Sequence, residues 1–109
     1  MCFELRKLIH DDEPVWRDPY PGALARSVQA LAHESVHASG DVNEARAECS
    51  GLQKIVEAAV ELGRTPKEGR YLARLYWRAW YPRHAVPYRS TECRDGGRLD
   101  FSPETRAWP

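Results

Sequence analysis

A chain of 109 residues has room for one hydrophobic core, so it reads as one small domain, short for a complete peptidase with a substrate cleft. Sixteen basic residues balance sixteen acidic ones, which leaves nucleic acid and anionic membrane surfaces without electrostatic purchase. No run approaches the roughly 18–20 apolar residues of a membrane span, and Met1-Cys2-Phe3-Glu4-Leu5-Arg6-Lys7 lacks the apolar centre of a signal peptide. As written, the chain is expected in the cytoplasm, with no membrane span and no nucleic-acid partner.

The first predicted element covers residues 2–10, where Phe3, Leu5, Leu8 and Ile9 suit a short amphipathic helix. Asp11 to Gly22 reads as loop, because Pro14, Pro19 and Pro21 interrupt it. Pro21 or Gly22 then opens a second helix that runs to Ser39 and stops at Gly40. Its apolar stripe is Leu24, Val28 and Leu31, continued by Ser35 and Ala38. His33 and His37 fall on roughly the opposite side, so a second layer must cover them if they are buried.

A third helix is predicted from just after Gly40-Asp41-Val42 to about Leu62, with Gly63 as its cap. So short a link makes the second and third helices antiparallel neighbours. The stripe Leu52, Ile55, Ala59 and Leu62 shares its face with Glu44, Glu48 and Gly51, and buried carboxylates need something positive to meet them. Thr65-Pro66-Lys67-Glu68 starts a fourth helix with a cap, a first-turn proline and a capping-box glutamate. Tyr71, Leu72, Leu75, Tyr76, Ala79 and Trp80 form its apolar face, Arg70, Arg74 and Arg78 its solvated one, and Pro82 ends it. Residues 82–109 have no periodicity and read as an irregular tail docked on the helices. The expectation is a single all-α domain over 1–109 with about four helices.

The second helix carries His33-Glu34-Ser35-Val36-His37. Histidines four apart point the same way and grip one metal ion, and H-E-x-x-H is the sequence form of a zinc hydrolase site. His33, His37 and Glu44 are the candidate ligands for Zn2+, with Glu34 as the general base that takes a proton from water made acidic by the metal. Glu48, one turn after Glu44, is placed to accept a hydrogen bond from the outer nitrogen of a ligand histidine. A plainer reading stays open: Asp41-x-x-Glu44 is itself a capping box, Glu34 a surface glutamate and the histidines an exposed pair. It leaves Glu48 on an apolar stripe unexplained. The three cysteines, Cys2, Cys49 and Cys93, lack C-x-x-C spacing, so they give no support to a structural zinc knuckle. One disulfide with one odd thiol is open; a Cys49–Cys93 pair would imply an oxidising compartment and a secreted or cell-surface protein that has lost an export signal.

His33 to Asn43 resembles the metzincin pattern H-E-x-x-H-x-x-G-x-x-H up to its last member, where Asn43 replaces the third histidine. Asn43-Glu44-Ala45-Arg46-Ala47-Glu48 is instead similar to the downstream N-E-x-x-x-D or E-x-x-A-D element of gluzincins, zinc peptidases with a glutamate third ligand. That resemblance implies Glu44 on the metal, Glu48 behind it and a peptide or protein substrate. It also implies a downstream His or Tyr that stabilises the oxyanion, for which Tyr81, His84 and Tyr88 are candidates. Gluzincins differ in having a longer gap between the elements, Asp as the second acid and a sheet before the motif helix. Over most of its length the chain is more similar to small zincin-like proteins of high-GC bacteria. The shared features are the His-Glu-Ser-Val-His helix, the Glu44 to Gln53 segment with Glu48-Cys49, and the tail from Tyr88 to Asp100. That likeness implies a shortened N-terminus. The reading is a zinc-dependent metallohydrolase, with a non-catalytic zinc-binding helical protein as its rival.

Overall fold

The computed structural model describes the backbone of residues 2–10 and 12–109, and the side chains of 5–9 and 12–109. Phe3, the Cys2 thiol and Asp11, used in the reading above, lie outside these. The fold is all-α, with five α-helices and no strand among the described residues. They are α1 (Cys2–His10), α2 (Pro21–Ala38), α3 (Glu44–Gln53), α4 (Ile55–Glu61) and α5 (Pro66–Ala79). One-turn 3-10 helices at Val15–Arg17, Tyr81–Arg83 and Val86–Tyr88 punctuate the connections.

Local chemistry sets most of these limits. Pro21 stands in the first turn of α2, where its missing N–H costs nothing. Gly40, at φ +110°, ends the helix in a conformation that a residue with a Cβ resists. Thr65 caps α5 by accepting from the Glu68 amide at 3.1 Å, while the Glu68 side chain accepts from the Thr65 amide at 3.1 Å. This is the reciprocal capping box that the sequence predicts.

Two expectations change. The predicted third helix is two helices, because Lys54 (φ −95°, ψ 2°) leaves the helical path between α3 and α4. The buried face of α2 is also not centred on Leu31, which is 40% exposed; Ser35 and Ala38 are exposed too. It is made of Leu24, Ala25, Val28, Gln29, Ala32, His33 and Val36, so the histidines flank the core face instead of opposing it. What moved it is α3, which offers polar partners to Gln29 and His33.

The core gathers Val28, Leu52, Ile55, Leu72 and Tyr76, all essentially inaccessible, where α2 meets α3, α4 and α5. Burying side chains of this size favours folding by about 1.5–3 kcal/mol each. Gly51 lets the α2–α3 seam close at the site: a Cβ there would lie 3.0 Å from the His33 amide nitrogen and 3.2 Å from Gln29 Nε2. The segment 82–109 is tied to the helices at named points. Gln53 grips the tail with both ends of its amide, donating to the Leu99 carbonyl and accepting from the Phe101 amide, each at 2.8 Å. Trp77 stacks on Tyr81 at 5.0 Å between ring centres, and Trp108 meets Trp77 edge-on at 5.3 Å.

Candidate metal centre

The link between α2 and α3 shapes the site. Asn43 caps α3, its side chain accepting from the Arg46 amide at 2.8 Å. The capping box considered for Asp41 and Glu44 is therefore not formed. Asp41 instead holds the Arg46 guanidinium through two bonds of 3.1 Å and accepts from the Asn43 amide at 3.0 Å. Glu44 falls in the first turn of α3, where the helix dipole favours a carboxylate, and its side chain is left for the histidines. As residue numbers rise along α3 through 44 and 48, their partners on α2 fall through 37 and 33, so the two helices run antiparallel.

His33 Nε2 and His37 Nε2 lie 2.8 Å apart. Glu44 closes the triangle, with Oε2 3.4 Å from His33 Nε2 and Oε1 3.2 Å from His37 Nε2. One donor atom from each of the three residues fits within a 4.8 Å span. Ligand atoms on a tetrahedral zinc with bonds of about 2.0–2.1 Å are about 3.3 Å apart, close to the two Glu44 separations and wider than the 2.8 Å between the histidine nitrogens.

The outer ring nitrogens decide what the inner ones offer. His33 Nδ1–H donates to Glu48 Oε1 at 2.7 Å, and His37 Nδ1–H donates to the Asp41 carbonyl at 2.7 Å. A carbonyl and a carboxylate only accept, so each neutral ring carries its hydrogen on Nδ1 and turns a lone pair outward at Nε2. Two lone pairs facing at 2.8 Å repel unless a cation lies between them. The pKa of His37 is raised, first by the Asp41 carbonyl; burial opposes this, and Glu44 adds to it.

Glu48 is buried, its side chain 8% exposed. It accepts from His33 and from Gln29 Nε2 (3.1 Å) on Oε1 and from the Tyr76 hydroxyl (2.9 Å) on Oε2, and His84 Nε2 lies 2.9 Å from the same Oε2. Burial first, and then the Glu48 charge, push the Tyr76 phenol far above its ordinary value, which keeps it a donor. Gln29 and Tyr76 were not singled out from the sequence. The signal was there in Tyr76, an aromatic on a core face whose hydroxyl needs a buried partner.

The remaining candidates separate. Glu34 is exposed beside His33 and makes no hydrogen bond or ion pair among the described residues. His84 joins the cluster through Glu48, with Tyr76 Oη 2.7 Å from its Nε2. Tyr81 is buried and its hydroxyl oxygen accepts from the Ser90 amide at 3.0 Å. Tyr88 is 41% exposed, with no side-chain hydrogen bond among the described residues. Cys49 and Cys93 are bridged, their Cα atoms 5.7 Å apart, which joins α3 to the tail one residue after Glu48.

No protein-family model, curated protein or solved structure matches this chain.

Proposed function

We propose that this chain is a zinc-dependent hydrolase acting on peptides, with His33, His37 and Glu44 as metal ligands and Glu34 as general base. The observation that carries the reading is the pair of Nε2 lone pairs facing each other at 2.8 Å, with the Glu44 carboxylate at the third corner. One proton could separate the two rings. A metal ion also uses the carboxylate, and two imidazoles with one carboxylate form the donor set of catalytic zinc.

Openness favours catalysis over a closed structural site. The Glu44 side chain is 42% exposed and that of His37 25%, so a metal held by these residues would be open to solvent on one side. When bound, zinc supplies a Lewis acid that makes a coordinated water acidic near neutral pH. Glu34, exposed at the residue beside His33, would serve as the base for such a water. Glu48 holds His33 in the tautomer and orientation it needs. Tyr88, whose hydroxyl is uncommitted, is the oxyanion donor this reading prefers; His84 is occupied with Tyr76 and Tyr81 with Ser90.

A second reading, a metal-tied helical protein without turnover, is favoured by one observation: no strand lies beside α2 among the described residues to align an extended peptide. One set of measurements separates the two. Untagged protein should carry about one zinc per chain, lost in His33→Ala and His37→Ala. Glu34→Gln should keep the metal and lose hydrolysis of a peptide library. Equal turnover by Glu34→Gln and parent would leave only the second reading. A metal-free preparation whose melting does not move when zinc is added would sink both.

A further inference from the structure

A second binding feature lies where α5 hands over to the tail. A cleft of about 660 Å³ opens there, walled by the rings of Trp77 and Tyr81 and by Val86, with Arg78, Arg89 and Thr91 also lining it. That volume lies within the range of about 300–1,000 Å³ typical of small-molecule sites. Its wall is ordered rather than incidental: Trp77 stacks on Tyr81 and is backed by Trp108, and the Tyr81 hydroxyl is fixed by Ser90.

The charge on this cleft is one-sided. No Asp or Glu lines it. Arg17, Arg46, Arg64, Arg94 and Arg98 each reach a carboxylate. Arg78 and Arg89, both exposed, reach none among the described residues, as is also true of Arg26, Arg70, Arg74, Arg83 and Arg106, and Arg78 makes only a 3.4 Å bond to the Arg74 carbonyl; what sets the two apart is that they line the cleft together. In a chain of zero net charge, two such guanidiniums at the rim of an aromatic slot are complementary to a carboxylate on a flat apolar body. Guanidinium forks match carboxylates bidentately, and the rings would take the planar remainder. Arg78 also ends the Arg70, Arg74, Arg78 row, for which the metal site has no use.

We propose that this cleft binds a small aromatic or polycyclic carboxylate, with Arg78 and Arg89 on the anion and Trp77 and Tyr81 on its ring system. The inference does not depend on the metal site. A Glu48–His84–Tyr81 layer connects the two: His84 reaches Glu48 on one side and meets the Tyr81 ring edge-on at 5.7 Å on the other.

The test is a titration of the full chain with 2-naphthoate, followed by amide and indole NMR shifts, beside 2-naphthalenemethanol and 2-naphthylmethylammonium. A ligand of about a dozen heavy atoms should bind near about millimolar Kd. The shifts should centre on residues 77–91, and the alcohol and ammonium should bind at least about tenfold more weakly. Arg78→Gln with Arg89→Gln should cost naphthoate about tenfold or more and leave the alcohol's affinity alone. Arg94→Gln, a change away from the cleft, is the control. Equal affinities for the three probes, shifts centred elsewhere, unchanged naphthoate binding in the double variant, or no saturable binding would each overturn the assignment.

Discussion

Glu48 and Glu68 have equally buried side chains, each 8% exposed, yet they end in different ways. Glu68 is met by Arg64, a cation at every accessible pH, and also accepts from the amides of Val15 (3.0 Å) and Thr65 (3.1 Å). Burial is the largest single influence on its pKa and pushes upward. Arg64 and the two amides together outweigh it and hold the carboxyl below its ordinary range. That cluster is complete within the protein and fastens α5 to the segment before α2. Glu48 is met by Gln29, Tyr76, His84 and His33, of which none is a permanent cation. Its chain of bonds continues through His33 to a nitrogen lone pair that has no partner but another lone pair. A buried carboxylate neutralised on the spot is complete as architecture; one whose network ends on facing lone pairs is what the proposed metal site would use.

The largest effect should come from breaking the closed cluster. Arg64→Ala leaves Glu68 buried without its cation and should cost about 3–5 kcal/mol in urea unfolding, with zinc affinity unchanged. Loss of zinc affinity along with stability would mean that the two clusters are not independent. Acid probes the same pair in the parent. Because the folded pKa of Glu68 lies below the unfolded one, its contribution is complete above about pH 4.3 and is lost as pH falls through the lower folded value. In Arg64→Ala that part of the acid transition should flatten.

Next comes the open cluster. Glu48→Gln keeps the shape but removes the charged acceptor behind His33, and should lower zinc affinity by about 10–100-fold, read by competition with a chelating dye. Affinity equal to the parent's would show that Glu48 does not orient His33. The smallest expected change is Tyr76→Phe, which removes one of the three hydrogen-bond donors to Glu48. It should cost about 1 kcal/mol of stability and less than about tenfold in zinc affinity. A loss as large as that of Glu48→Gln would make the phenol, not the carboxylate, the critical support.

How much of this was legible depends on whether the cause was local. The cap at Thr65, the stop at Gly40 and the short link that folds α3 back on α2 are written in neighbouring residues, and each was read correctly. The same logic brought Glu44 and Glu48 to the histidines. The break at Lys54 has no proline beside it and a glycine, Gly51, only a turn earlier, and the preceding residue, Gln53, is held by tail residues 46 and 48 positions away. Hydropathy also misplaced the face of α2. It favours Leu31 over Gln29 and His33, whereas those polar side chains are buried because acceptors on α3 receive them. Tyr76 and His84 escaped for a related reason: one was counted as core and the other as an oxyanion donor. Their shared partner appears only when α3, α5 and the tail are brought together.

The sulfur bridge has a consequence for how the molecule would come apart. Cys49 and Cys93 are 44 residues apart, and the cord between them contains α4, α5 and the exposed turn at Arg83. A protease that cut at Arg83 would yield two peptides that still travel as one particle. They would part on a gel only after a reducing agent was added.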